Sequence, residues 1–119
     1  MSAYKNYIGG QWIASSEMLP AISPSDGQVI GQIARGGAAE IDAAVNAAQA
    51  ALHGGWGRLD AVSRGRLLLR LSELIRRDAD GLARMECEDV GKPLTLARGD
   101  VAICARYFEY YAASVAAGL

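Results

Sequence analysis

Apolar positions along the chain follow two different rhythms. From Tyr4 to Ala34 they come in short runs broken by turn-forming residues. Tyr7-Ile8 and Gln11-Trp12-Ile13 flank Gly9-Gly10. A Gly-Gly pair between two such runs predicts a tight hairpin, because the favoured turn needs positive φ at both central residues. Ala21-Ile22-Ser23-Pro24 leads into Ser25-Asp26-Gly27, which predicts a turn. Pro24 fixes φ there, and Asp26-Gly27 tolerates positive φ. Gln28 to Ile33 predicts a further strand, although its alternation is imperfect.

From Ala38 to Leu119 the spacing is helical. Ile41, Ala44, Val45, Ala48 and Leu52 fall at i, i+3, i+4, i+7 and i+11, one stripe of a helix over 38–52. Glu40 and Asp42 open it, where the macrodipole favours carboxylates. Gly54-Gly55-Trp56-Gly57 predicts a linker. A second helix starts near Asp60 or Ser63, both good N-caps. Leu67, Leu68, Leu71, Leu74 and Ile75 line one face of it. Arg64, Arg66, Arg70, Arg76 and Arg77 lie mostly elsewhere. The pattern weakens over 78–81 and resumes with Leu82, Met85 and Val90, which leaves a bend or a separate helix. Gly91 suits the position after a helix end, and Pro93 prevents continuation. A last helix begins near Thr95. Val101, Cys104, Ala105, Phe108, Ala112 and Val115 share its stripe, and Ile103, Tyr107, Tyr110 and Tyr111 crowd adjoining faces. So wide an apolar circumference predicts cover on more than one side.

Composition narrows the classes. Hydrophobic residues make up 51% of the 119 and charged residues 21%, which is globular rather than disordered. A net charge of −1 gives no electrostatic footprint for nucleic acid or an anionic membrane. No run approaches the ~20 apolar residues of a membrane span. Met1 to Gly10 lacks the apolar core of a secretory signal. Cys87 and Cys104 show no metal-ligand spacing and no disulfide framework, so a reducing cytoplasm is the default compartment.

Candidate chemistry is sparse. His53, the single histidine, ends the first helix, where a polar or cationic side chain suits the dipole. Zinc is not expected without a second histidine or a clustered Cys/Asp set. Cys87 lies between Glu86 and Glu88, which disfavour a thiolate. Cys104 falls on an apolar stripe. Both read as small core residues. Neither GxGxxG nor GxxxxGK[ST] occurs, so local sequence argues for no phosphate cradle. One segment is unusual: Glu86, Glu88 and Asp89 crowd a helix C-terminus, where carboxylates oppose the dipole. Either they are solvated near arginines, or a cation sits beside them.

Taken in order, the motifs resemble a family. Tyr7-Ile8-Gly9-Gly10-Gln11-Trp12 precedes Ser23-Pro24-Ser25-Asp26-Gly27-Gln28-Val29-Ile30. Glu40-Ile41-Asp42-Ala43-Ala44-Val45, the Trp56 linker and Arg64-Gly65-Arg66-Leu67-Leu68 follow. Glu86 to Pro93 has the form E-x-x-D-x-G-K-P, and Tyr107-Phe108-Glu109-Tyr110-Tyr111-Ala112 closes the set. This order resembles the N-terminal portion of NAD(P)-dependent aldehyde dehydrogenases, from about Tyr7 to Leu119. Ser23 stands in place of the usual Asn, and Ala113 where Gly is common.

The resemblance implies an α/β parent fold. This segment would be mostly helical, with N-terminal strands and a hairpin: a strand and turn region over 4–34, then helices over 38–119 packed around the nucleotide-binding domain. The parent would oxidise an aldehyde to a carboxylic acid with NAD or NADP through a cysteine thioester. Its partners would be the remainder of the chain, a small-molecule aldehyde and further copies in a homo-oligomer. The family's thiol, general-base glutamate, oxyanion asparagine and nucleotide site fall beyond Leu119. No catalytic or cofactor-binding residue is therefore expected here, neither cysteine is the family nucleophile, and the chain alone is expected to be inactive. Two lesser sites carry over. Backbone carbonyls of Ala21 and Ile22 with Asp89 would hold a monovalent cation, K+ or Na+. Ile103 would line the aldehyde entrance channel. The alternative is a free-standing small helical module that acts by partner binding, which the apolar last helix would also suit.

Overall fold

The computed structural model describes residues 2–117. They fall into two compact units divided between Arg58 and Leu59.

The first unit holds the strands. β2 (Asn6–Ile8) and β3 (Gln11–Ile13) pair antiparallel as the expected hairpin. Gly9 and Gly10 take φ of 59° and 83°, the left-handed region that a two-residue primed turn demands. Tyr7 faces Trp12 directly, with ring centroids 4.8 Å apart. The expected strand is β5 (Val29–Ala34), and it is the middle of a second sheet. β4 (Met18–Ile22) runs antiparallel beside it and β1 (Ser2–Tyr4) runs parallel on its other side. Neither partner strand is predicted by the spacing. β4 contains Pro20, which cannot donate to a ladder and so belongs on an edge strand, where it lies.

The expected turn joins β4 to β5. Ser23 N–H donates to Gln28 O at 2.8 Å, Gly27 N–H donates to Ser23 O at 2.9 Å, and Gly27 takes φ of 70°. α1 (Ala38–His53) follows. The Glu40 carboxylate reaches back to accept the Gly37 N–H at 2.7 Å, which satisfies one of the orphan donors at the helix start. The predicted stripe is present but uncovered: Ile41 is 61% exposed and Leu52 62%. The glycine linker is a correction. Gly55–Arg58 forms a short helix, α2, because Arg58 N–H continues the helical pattern back to Gly54 O at 3.2 Å.

The second unit is helical throughout. α3 (Ala61–Arg77) starts on the predicted N-cap, with Asp60 Oδ1 accepting Ser63 N–H at 2.7 Å. The weakened pattern proves to be a break at Asp78, which ends α3 and begins α4 (Ala79–Val90). Gly91, at φ 71°, closes α4 and its N–H donates to Cys87 O at 3.0 Å. Pro93 then caps α5 (Leu94–Ala116).

Two interhelical links fix how α3 meets α5. Ser72 Oγ donates to Ala105 O at 2.7 Å, and Arg76 pairs with Glu109 at 2.5 Å. α4 continues from α3 across Asp78, whose N–H donates to Leu74 O and whose O accepts from Leu82 N–H, both at 3.0 Å, and α5 returns antiparallel, with Ser72 level with Ala105 and Asp80 level with Arg98. The seam is small-sided: Gly65 and Ser72 are buried on α3, Ala105 and Ala112 on α5. α4 packs on the other part of α5 through Ala83, Ala97 and Val101, with Ile75, Ala79 and Leu94 around them. Cys104 is a second correction. It is exposed, because the buried line of α5 is Ala97, Val101, Ala105 and Ala112, one position round from it. The wide apolar face is likewise uncovered, with Tyr107 61% and Tyr110 65% exposed. No helix among the described residues is long and apolar enough to cross a membrane.

Candidate functional site

The carboxylates that crowd the α4 C-terminus separate into two groups. Glu86 is engaged: Lys92 Nζ donates to its Oε1 at 2.5 Å and also to Asp100 on α5. Lys92 and Glu86 are each 31% exposed at the side chain, so this pairing is partly shielded from water. The two carboxylates, Asp100 more than Glu86, push the Lys92 pKa up to about 12. Asp89 and Glu88 are exposed and take no part in the hydrogen bonds or ion pairs among the described residues. Pairing with Lys92, one way to relieve Asp89, is therefore taken by its neighbours instead.

Ala21 and Ile22 lie in the first unit, on β4. β4 is an edge strand, so one row of its carbonyls faces away from the ladder. The pairing with β5 is also irregular between Ala21 and Ile22, and a bulge leaves backbone groups outside the ladder. Ala21 is buried and Ile22 is 54% exposed. Asp89 is in the second unit. All three positions offer oxygen, the donor type of a hard cation. No three His, Cys, Asp or Glu side chains among the described residues converge on a metal position. A cation at Asp89 would thus need oxygen donors besides that carboxylate. On donor chemistry the residues fit.

Ile103 is 49% exposed on α5. It borders an open depression with Arg106, Tyr107, Glu109, Tyr110 and Tyr111. The spacing marked Ile103, Tyr107, Tyr110 and Tyr111 beside the stripe, but not Arg106 and Glu109, which join them at the depression. His53 is exposed in the last turn of α1, and Cys87 is half-buried on α4.

The charged groups also set a pH window. Asp26 is held below its ordinary 3.8 chiefly by the Gln28 N–H, Asp60 by the Ser63 N–H, and Asp78 by the Arg77 guanidinium. A carboxylate with a depressed folded pKa stabilises above its unfolded value, and that stability is lost as pH falls through the folded value. Lys92 is the opposite case: its contribution is full below 10.5 and lost as pH rises through about 12. The melting temperature should therefore fall on both sides of a plateau. Lys92→Met should flatten the alkaline fall and leave the acid fall in place. An alkaline limb of equal steepness in Lys92→Met would show that Lys92 does not set it.

Known proteins share this architecture. The sequence model of the aldehyde dehydrogenase family matches residues 12–118. The mitochondrial aldehyde dehydrogenase of Rattus norvegicus is 42% identical over 111 residues, which is 89% of this chain and 21% of that protein. A crystal structure of an aldehyde dehydrogenase-class protein from Burkholderia cenocepacia matches at a TM-score of 0.89 and 47% identity, covering 92% of this chain and 23% of its own. The NAD-dependent aldehyde dehydrogenase of Sinorhizobium meliloti matches at 0.89 and 31% identity, covering 94% of this chain and 23% of its own. The chain spans about a fifth of the length of the curated relatives it matches. With the family model matched over residues 12–118 and the fold matched over 92% of its length, the chain belongs to the aldehyde dehydrogenase family.

Proposed function

We propose that this chain is the N-terminal portion of an NAD(P)-dependent aldehyde dehydrogenase, which oxidises an aldehyde to a carboxylic acid through a cysteine thioester. One observation carries the reading: the fold matches a relative at a TM-score of 0.89 and 47% identity over 92% of this chain, yet fills only 23% of that structure. The exposed stripes support it. Ile41, Val45 and Leu52 on α1, and Tyr107, Tyr110 and Tyr111 on α5, are apolar or aromatic residues at helical spacing that call for cover. The remainder of an aldehyde dehydrogenase chain would supply that cover. NAD or NADP, when bound there, accepts the hydride.

This chain's own residues would work at the edges of the chemistry. Ile103 would form part of the wall along which the aldehyde enters. Asp89 and the carbonyls of Ala21 and Ile22 would be oxygen donors for a monovalent cation. A homo-oligomer in the cytoplasm belongs to the same reading. The test is aldehyde-dependent formation of reduced nicotinamide cofactor. The full-length gene product should show it, and the 119-residue chain alone should not exceed the no-enzyme control. A full-length product without activity on any aldehyde would overturn the reading, and so would turnover by the short chain.

A further inference from the structure

A depression of about 440 Å³ lies in the second unit, where α3 gives way to α4 and α5 passes alongside. Arg76, Ala79 and Asp80 line one side, at i, i+3 and i+4 across the helix break. Arg98, Val101, Ala102 and Arg106 line the other, at i, i+3, i+4 and i+8 of α5. Three guanidiniums meet two carboxylates here. Arg98 Nε donates to Asp80 Oδ1 at 3.2 Å, and Arg76 pairs with Glu109. Arg106 is exposed and takes no hydrogen bond or ion pair among the described residues. The charge left over is therefore single and positive, on a planar fork that matches a carboxylate through two parallel N–H···O bonds. The floor between the charges is hydrocarbon: Val101 is buried, Ala79 half-buried and Ala102 exposed. A phosphate suits this surface less, because its further charge and oxygens would face alkyl groups instead of donors. A small acid with an alkyl body satisfies both the fork and the floor, and the volume is of the size that holds one.

We propose that this depression binds a small organic monocarboxylate, its charge on Arg106 and its alkyl body over Ala79, Val101 and Ala102. Asp80 and Glu109 already balance Arg98 and Arg76, which sets the capacity at one negative charge. The acid released by the proposed oxidation belongs to this class, but the site lies within the second unit alone and does not depend on that reaction.

The full-length gene product is melted across a sodium butyrate series, with sodium chloride holding ionic strength constant. A ligand that binds only the folded state raises the melting temperature, so the wild type should melt higher as butyrate rises, with a defined half-saturating concentration. Arg106→Met should raise that concentration roughly tenfold or more, the cost of a lost charge-assisted pair. Arg106→Lys, which keeps the charge and loses the fork, should fall between the two. Ala102→Leu fills the floor from an exposed position. It should melt like the wild type without butyrate and lose the response to it. Butanol, which has the tail without the charge, and sodium phosphate, which has the charge without the tail, should give no saturable rise. A rise that never saturates, or that is equal in wild type, Arg106→Met and Ala102→Leu, is a general salt effect and overturns the proposal. Saturation by phosphate at the same site, lost in Arg106→Met, overturns the assignment to monocarboxylates. A wild type that does not respond to butyrate overturns the site itself, whether or not the protein oxidises aldehydes.

Discussion

Ala105→Leu should be among the most damaging single changes in the second unit. Ala105 has no exposed surface, and its carbonyl accepts the Ser72 hydroxyl at 2.7 Å. The α3–α5 seam is built from small residues, so added methylenes have no void to enter. They must push the antiparallel helices apart or break the Ser72 bond. Overpacking of this kind costs about 1–3 kcal/mol, and a buried donor left unpaired adds to it. For a domain of this size each kcal/mol is worth about 4–8 °C of melting temperature. Ala102→Leu, one turn face away and exposed, is the control and should be close to neutral. If Ala105→Leu melts as high as Ala102→Leu, the close seam is not there.

The second large effect is expected at Gly57. A Cβ built there would lie 1.6 Å from Leu52 O and 2.7 Å from Leu52 C. Both are backbone atoms at the end of α1, so no side chain can swing aside. Gly57→Ala must displace α2 from α1, and the cost should reach the roughly 3 kcal/mol upper end of ordinary single substitutions. Gly55→Ala makes a sharp control, since a Cβ there meets nothing within 4 Å. Limited proteolysis should cut Gly57→Ala faster between His53 and Asp60 and leave Gly55→Ala resistant. Equal resistance in both would show that α2 does not dock on α1 as described.

These two sites mark where sequence reading stops. Local signals were legible. Gly9-Gly10 gave the hairpin, Asp60 the cap of α3, and Gly91 with Pro93 the corner, because each depends on residues within a few positions. What was missed depends on partners far along the chain. β4 reads poorly because Pro20 argues against a strand until β5 is known to leave it at an edge. On α3 the leucines drew the core prediction, yet Leu67 is 50% exposed while Ser72 has no exposed surface. Hydropathy ranks leucine above serine, but a close approach of two helix backbones selects by size. The signal was present as seven-residue spacing, Gly65 to Ser72 and Ala105 to Ala112. The candidate site divides the same way. Asp89 stood out as a carboxylate at the wrong helix end, whereas the partners of Lys92 depend on how α5 leaves the corner.

The antiparallel pairing of α3 and α5 has an evolutionary side. Ser72 meets Ala105 and Asp80 meets Arg98, two levels of one antiparallel pairing on either side of the corner. Each residue added to a helix advances it about 1.5 Å and turns it about 100°. A one-codon insertion or deletion within α4 would therefore rotate everything downstream, and Ala105 would no longer meet Ser72. The stretch from Ser72 to Ala105 is thus metrically fixed. Its side chains can drift, but its length cannot, and length variation in descendants of this gene should avoid this stretch.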